Sequence, residues 1–138
     1  MRIKVIAKAV VQNADGQVLL MRRSTTDPRR PGEWDFPGGA VEAGEELSFG
    51  AAREIQEEAG LVIKPAELRL LFAATEPYEQ SGESVTRLLF AGRAASDNIQ
   101  LSFEHDEYKW VDIATALQDF PHPFYARGLA YARDHQLL

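Results

Sequence analysis

At 138 residues the chain has room for one domain built around one hydrophobic core. Apolar residues make up 45% of it, which excludes a disordered chain. Its 15 basic and 21 acidic residues give a net charge of −6, so no basic face invites duplex nucleic acid, and the lack of cysteine excludes disulfides and thiolate metal sites.

The opening MRIKVIAKAVVQ is broken by Lys8 and alternates too regularly for a signal peptide. No segment approaches the ~20 apolar residues of a membrane span. The expectation is a soluble, cytoplasmic protein without a membrane partner.

In chain order, Ile3, Val5, Ala7, Ala9 and Val11 alternate with other residues, which predicts a strand over 3–12. Asn13-Ala14-Asp15-Gly16 is a turn signal, and 16–23 reads as the returning strand of a hairpin. The two prolines and the glycine of 24–34 predict a loop, followed by a short strand at 34–36. Pro37-Gly38-Gly39 ends that strand and lets backbone approach something closely. Leu47, Ala51 and Ile55 recur at helical spacing, which predicts a helix over 47–59 with Gly60 as its stop. Strands follow at 67–75 and 84–93, joined by a polar turn, and a short strand at 107–112. The chain closes with a helix starting near Pro123, its apolar side running through Leu129 and Ala130.

The segment 38–60 carries six glutamates against the single Arg53, so five of the six net negative charges lie there. At about 100° per residue, Glu54, Glu57 and Glu58 share one arc of the helix, with Gly50 one turn earlier leaving space above them. Like charges at this spacing destabilise a helix, and glutamates near its C-terminus oppose the helix dipole. A divalent cation resolves the conflict. Oxygen ligands without His or Cys favour Mg²⁺, with Mn²⁺ as a substitute, and Mg²⁺ fills its remaining positions with water and substrate phosphate. The site is therefore read as one for phosphate chemistry.

From Gly39 the order is Gly, five residues, Glu45, seven residues, Arg53-Glu54-Ile55, one residue, Glu57-Glu58, one residue, Gly60-Leu61. This resembles the Nudix box of the Nudix hydrolase family, and Trp34-Asp35-Phe36-Pro37-Gly38 and 104–111 are similar to family patterns as well. The resemblance implies an α/β fold, an α/β/α sandwich with a mixed sheet and a loop–helix–loop motif, spanning the whole chain as one domain. It implies Mg²⁺-dependent cleavage of a diphosphate linkage in a nucleoside diphosphate derivative. By position, Glu54, Glu57, Glu58 and Gly39 would serve the metal, and Arg53 would orient Glu45 or Glu57. Glu57, then Glu104, are the candidates for activating water. The family allows a monomer or a homodimer. Glu46 stands where many members place a capping Ser or Thr; its charge suits a helix N-terminus.

For the substrate, Arg22, Arg23, Arg29 and Arg30 precede the glycine loop, where an arginine can clamp a distal phosphate. At least two of the four are read as solvated surface residues, and Arg23 is singled out, since alternation lets only one of Arg22 and Arg23 face a given side. Gly38 offers backbone. Arg87 interrupts an apolar strand, either as a pocket contact or as a snorkelling edge residue. Tyr78, Phe124 and Tyr125 sit where a nucleobase can stack. Trp110 is assigned to the core, and His105 to a structural or solvent-facing role. The adjacent Pro77 and Tyr78 point to ADP-ribose and to dinucleoside polyphosphates at once, so they discriminate nothing. The small size favours a nucleoside triphosphate, ordinary or oxidised, cleaved to a monophosphate and pyrophosphate. A nucleotide sugar comes second, and a non-catalytic nucleotide sensor is the rival from another class.

Overall fold

A computed structural model of the chain describes residues 2–78, 82–120 and 122–138, with the backbone alone at Pro77 and Tyr78. Its strands are β1 (Arg2–Gln12), β2 (Val18–Arg23), β3 (Trp34–Asp35), β4 (Gly38–Ala40), β5 (Arg69–Tyr78), β6 (Glu83–Arg93) and β7 (His105–Val111). Its helices are α1 (Leu47–Ala59), α2 (Ile113–Asp119) and α3 (Pro123–Asp134). No helix among the described residues is long and apolar enough to cross a membrane.

The sheet runs β3-β2-β1-β6-β5, with β4 also paired to β1 and β7 to β2. β1 and β6 run parallel from Arg2 opposite Glu83 to Gln12 opposite Arg93; every other pairing is antiparallel. This is the expected mixed sheet, and helices cover both faces. Ala51, Ala52, Ile55 and Ala59 of α1 pack on Ala7, Ala9 and Val11 of β1. On the other face, Ala116 of α2 and Phe124, Tyr125 and Leu129 of α3 pack on Val10, Leu20 and Leu89. β1 is thus buried on both faces, as the parallel partner requires.

The expected hairpin is a single rung. Asn13 closes the turn, its Oδ1 accepting from the amides of Asp15 and Gln17 at 3.0 and 2.9 Å. Only Gln12 opposite Val18 joins β1 to β2, and β2 then pairs along its length with β7. The edge of β1 is taken instead by β4, with Ala7 opposite Gly39 and Lys8 opposite Gly38.

Three elements went unread. β4 is a Gly-Gly-Ala strand with no side-chain alternation to show it. A 3-10 turn occupies Pro65–Glu67. α2 starts at Asp112, whose Oδ1 accepts from the Thr115 amide at 2.7 Å, a cap that was legible as Asp-x-x-Thr. β5 and β6 also extend into the expected turn, so that Pro77 lies opposite Ser84. In α3 the core face runs through Phe124, Tyr125, Gly128, Leu129 and Ala132; Ala130 lies at its margin.

Candidate active site

α1 begins at Leu47 as its periodicity demands and ends at Gly60, whose φ of 72° is left-handed and whose amide bonds the Gln56 carbonyl at 2.9 Å. Glu46 sits at the helix N-terminus, as its charge suits. It stands at the N-cap without capping the helix, and its carboxylate accepts instead from the Ser48 hydroxyl at 3.2 Å.

Arg53 is the hub of the acidic cluster. Its Nε donates to Glu45 Oε2 at 2.7 Å and its Nη2 to Glu45 Oε1 at 3.0 Å. Nη1 donates to Glu54 Oε1 and to both Glu57 oxygens, each at 3.2 Å, and Nη2 also reaches the Ala40 carbonyl at 3.2 Å. One guanidinium therefore orients three carboxylates and ties the helix to β4. The bond to Arg53, with the Glu42 amide beside it, holds the Glu45 carboxyl down at about 2. The space above Gly50 is not open: a Cβ there would stand 2.7 Å from Glu45 Oε1.

The glycine loop meets the same helix. The Gly38 amide donates to Glu58 Oε1 at 2.8 Å. A Cβ on Gly38, which has a φ of 133°, would overlap the Ala7 carbonyl, so only glycine lets β4 lie this close to β1. A Cβ on Gly39 would stand 2.7 Å from Glu54 Oε2. Both glycines are there for close approach, one to backbone and one to a carboxylate.

Behind the loop lies a buried ionic pair that the sequence reading missed. Lys8 Nζ donates to Asp35 Oδ2 at 2.9 Å and to the carbonyls of Phe36 and Gly38 at 3.3 and 3.1 Å. Burial opposes the charge on Lys8, yet Asp35 and Glu58 outweigh it and raise the ammonium's pKa. Burial likewise opposes the Asp35 carboxylate, and Lys8, with Arg30 and Arg23, still holds it below the ordinary range. Glu58 has no such surplus. Burial pushes its carboxyl up to about 8 against the pull of Lys8 and the Gly38 amide. Burial also raises Glu54, opposed by Arg53 and aided by the charges of Glu57 and Glu104.

Among the described residues no three His, Asp or Glu side chains form a ready-made metal cage. Glu54 and Glu58 flank the Gly38–Gly39 backbone, while Glu57 is more than half exposed and turned to Arg53. That donor set fits a magnesium-like ion, which takes one or two carboxylates and completes its shell with water and phosphate. Two crowded acids, both raised in pKa, are the unbalanced negative charge that such an ion neutralises.

Glu104 lies on the segment that caps α1, where the amides of Gln100 and Ser102 bond the carbonyls of Ala59 and Glu58 at 2.9 and 3.2 Å. Arg23 is held by Asp27 at 2.7 Å and by Asp35 at 3.0 Å, and Arg22 faces Asp106 and Glu107. Arg87 is buried, its Nη1 donating to the Tyr125 hydroxyl at 3.0 Å and its Nε to Glu76 at 3.4 Å. Phe124 and Tyr125 are buried in the core, so neither offers a ring to a base; the Tyr78 side chain lies outside the described residues. Trp110 is half-buried against the α1 core. His105 is buried, with neither ring nitrogen bonded to a described residue.

Three cavities open along β1. One of about 430 Å³ is lined by Ile6, Arg30, Val85, Arg87 and His122. Another of about 650 Å³ borders Val41, Glu42 and Glu45, and a third of about 430 Å³ borders Arg23, Asp27 and Glu104. Lys4 and Arg29 line all three. The sequence reading counted Arg29 among the arginines ahead of the glycine loop but preferred Arg23, and it placed Lys4 only as a polar position of the first strand.

The NUDIX domain family matches residues 2–131 of the chain. An octanoyltransferase of Myxococcus xanthus is 37% identical over 124 residues, which cover 88% of this chain but 33% of that protein; the chain thus spans a third of the length of this relative. The nucleoside triphosphatase NudI of Escherichia coli is 29% identical over 125 residues, covering 80% of this chain and 83% of the relative. The crystal structure of a MutT protein from Methanosarcina mazei Go1 superposes with a TM-score of 0.79 at 28% identity, covering 98% of this chain and 96% of that one. With the family matched over nearly its whole length and the box folded as a loop, helix and loop, the chain belongs to the Nudix hydrolase family.

Proposed function

We propose that the chain cleaves a nucleoside triphosphate, ordinary or oxidised, to a nucleoside monophosphate and pyrophosphate. The observation that carries this reading is the meeting of an arginine-tied carboxylate row with a glycine loop. Arg53 fixes Glu45, Glu54 and Glu57 while Gly38 and Gly39 bring backbone against Glu58 and Glu54. The name of the NudI relative, a nucleoside triphosphatase, agrees with it.

Glu54, Glu57 and Glu58, with the Gly39 backbone, are the residues that would hold Mg²⁺ or Mn²⁺; such an ion, when bound, neutralises phosphate charge and acidifies a water. The protein's own share is positioning and electrostatics, as in phosphoryl transfer generally. Arg53 keeps the carboxylates in fixed rotamers, and Lys8 pins the Gly38 carbonyl. We assign the proton of the attacking water to Glu104 ahead of Glu57. Both Glu57 oxygens already accept from Arg53, whereas the Glu104 carboxylate accepts no hydrogen bond from a described residue and lies near enough to Glu54 to raise it. Arg87, at a cavity wall, is the basic contact to substrate, whereas Arg23 is already engaged by Asp27 and Asp35.

Incubating the purified protein with Mg²⁺ and a panel of triphosphates, ADP-ribose, nucleotide sugars and dinucleoside polyphosphates tests this. Pyrophosphate released from triphosphates, and lost in Glu58→Gln, is expected. Turnover confined to ADP-ribose or nucleotide sugars overturns the substrate assignment, and binding without turnover anywhere would point to a sensor.

A further inference from the structure

The turn that leads into β7 presents neighbouring side chains in opposite ways. Phe103 is 89% exposed, Glu104 follows it, and His105 is buried. The turn is tied at three points. The Glu104 amide donates to Ser102 Oγ at 3.3 Å, the His105 amide to the Ser102 carbonyl at 3.4 Å, and the Ser24 amide to the Glu104 carbonyl at 2.9 Å. Phe103 therefore stands out from an anchored backbone. An apolar side chain alone on a surface needs no explanation, but this one lines a cleft. The cleft measures about 430 Å³, within the range of small-ligand sites, and Phe103 shares its wall with Lys4, Pro28, Arg29 and Glu104. Arg23 is on the same wall, with its guanidinium spent on Asp27 and Asp35. Among the described residues, Phe103 is the only phenyl ring that lines the three cavities along β1, since Phe124 and Tyr125 are buried in the core. A flat apolar face, two cations and the carboxylate assigned to the attacking water thus meet in one cleft.

We propose that Phe103 is the platform on which the nucleobase of the substrate stacks, at the Glu104 end of the site. This rests on the proposed cleavage of a nucleotide, but it concerns a side chain that the cleavage reading does not use. Stacking on one aromatic ring tolerates any base, because every base has a π-face. The selectivity that follows is for nucleotides over phosphates that lack a base, with little choice among bases. Lys4 and Arg29 supply the positive field that draws the phosphates of the same molecule towards the cleft.

Two measurements test it in Phe103→Ala and Phe103→Trp, replacements at a side chain so exposed that the core is untouched. The first is calorimetric titration of the full chain with AMP, CMP and ribose 5-phosphate in Mg²⁺; none of the three has an anhydride bond to lose. The wild type is expected to bind AMP and CMP more tightly than ribose 5-phosphate. Phe103→Ala weakens both nucleotides about tenfold, the loss of one stacked base, and leaves ribose 5-phosphate unchanged, while Phe103→Trp restores nucleotide binding. No binding of AMP by the wild type, equal AMP binding by wild type and Phe103→Ala, or an equal loss for ribose 5-phosphate overturns the proposal. The second is steady-state turnover of a nucleoside triphosphate, in which Phe103→Ala raises KM about tenfold at nearly constant kcat, as the loss of uniform binding does. An unchanged KM overturns the platform and leaves the cleavage reading standing. If AMP binds as expected while no nucleotide is turned over, the cleavage reading fails and the platform stands.

Discussion

Arg53 grips Glu45 with two parallel hydrogen bonds, at 2.7 and 3.0 Å, across eight residues of chain that include the start of α1. The pairing is planar fork against planar carboxylate, a geometry that lysine cannot reproduce. Arg53→Lys keeps the charge and loses the alignment of Glu45, Glu54 and Glu57 together. Turnover is expected to fall about 10–100-fold, the range for residues that orient ligands, while the melting temperature moves little. Steady-state kinetics beside thermal melts check this, and full activity in the lysine variant would show that alignment is not the role.

The adjacent glycines should separate fold from chemistry. Gly39→Ala drives a methyl into the Glu54 carboxylate, 2.7 Å away, whose flexible end can move aside. It should fold, melt near the wild type, and lose Mn²⁺ affinity in a calorimetric titration. Gly38→Ala meets backbone on β1 at a φ of 133°, where nothing can yield. It should lose at least about 1–3 kcal/mol of stability or fail to fold. Equal melting temperatures for the two variants would contradict this division.

Lys8→Met removes one partner of a pair whose side chains are 5% and 2% exposed. Asp35 then remains buried, with Arg23 at 3.0 Å as its nearest cation. Breaking such a pair from one side typically costs about 3–5 kcal/mol, and equilibrium denaturation in urea should show a loss of that order.

His105 gives the protein a stability slope in mild acid. Burial is the main reason that its imidazole is pushed down to about 4 from an ordinary 6.5, with the charge of Lys8 assisting. Between these values the unfolded chain binds the proton and the folded chain does not, so stability falls as pH drops from 6.5 towards 4 and is unaffected above 6.5. His105→Gln removes that contribution. The difference in unfolding free energy between variant and wild type, followed by denaturation from pH 4 to 8, should therefore shift in the variant's favour on the acid side and stay flat above pH 6.5.

Much of this was legible in the sequence where the relevant interactions are local. The helix of residues 47–59, its glycine stop and the crowding of Glu54, Glu57 and Glu58 all follow from spacing along one helix. What escaped depends on distant partners. The turn at Asn13 is read correctly, yet it says nothing of β7, which arrives from more than eighty residues away to take β2. Arg23 looks available in one dimension, and only the fold brings Asp35 beside it. Phe124 and Tyr125 look like loop-end aromatics until the first turn of α3 lies on the sheet and buries both. Glu46 shows that charge suited to a helix start need not become a cap.

β1 offers one side to each half of the molecule: Ala7, Ala9 and Val11 to the packing beneath α1, and Lys4, Ile6 and Lys8 to the cavity beside β6 and the glycine loop. Because the sides alternate residue by residue, deleting any one residue near its middle would trade them, sending ammonium groups under the helix and small apolar side chains towards the clefts. The strand thus has no separate scaffold there that evolution could lengthen or trim without also redrawing the clefts and the glycine loop beside it.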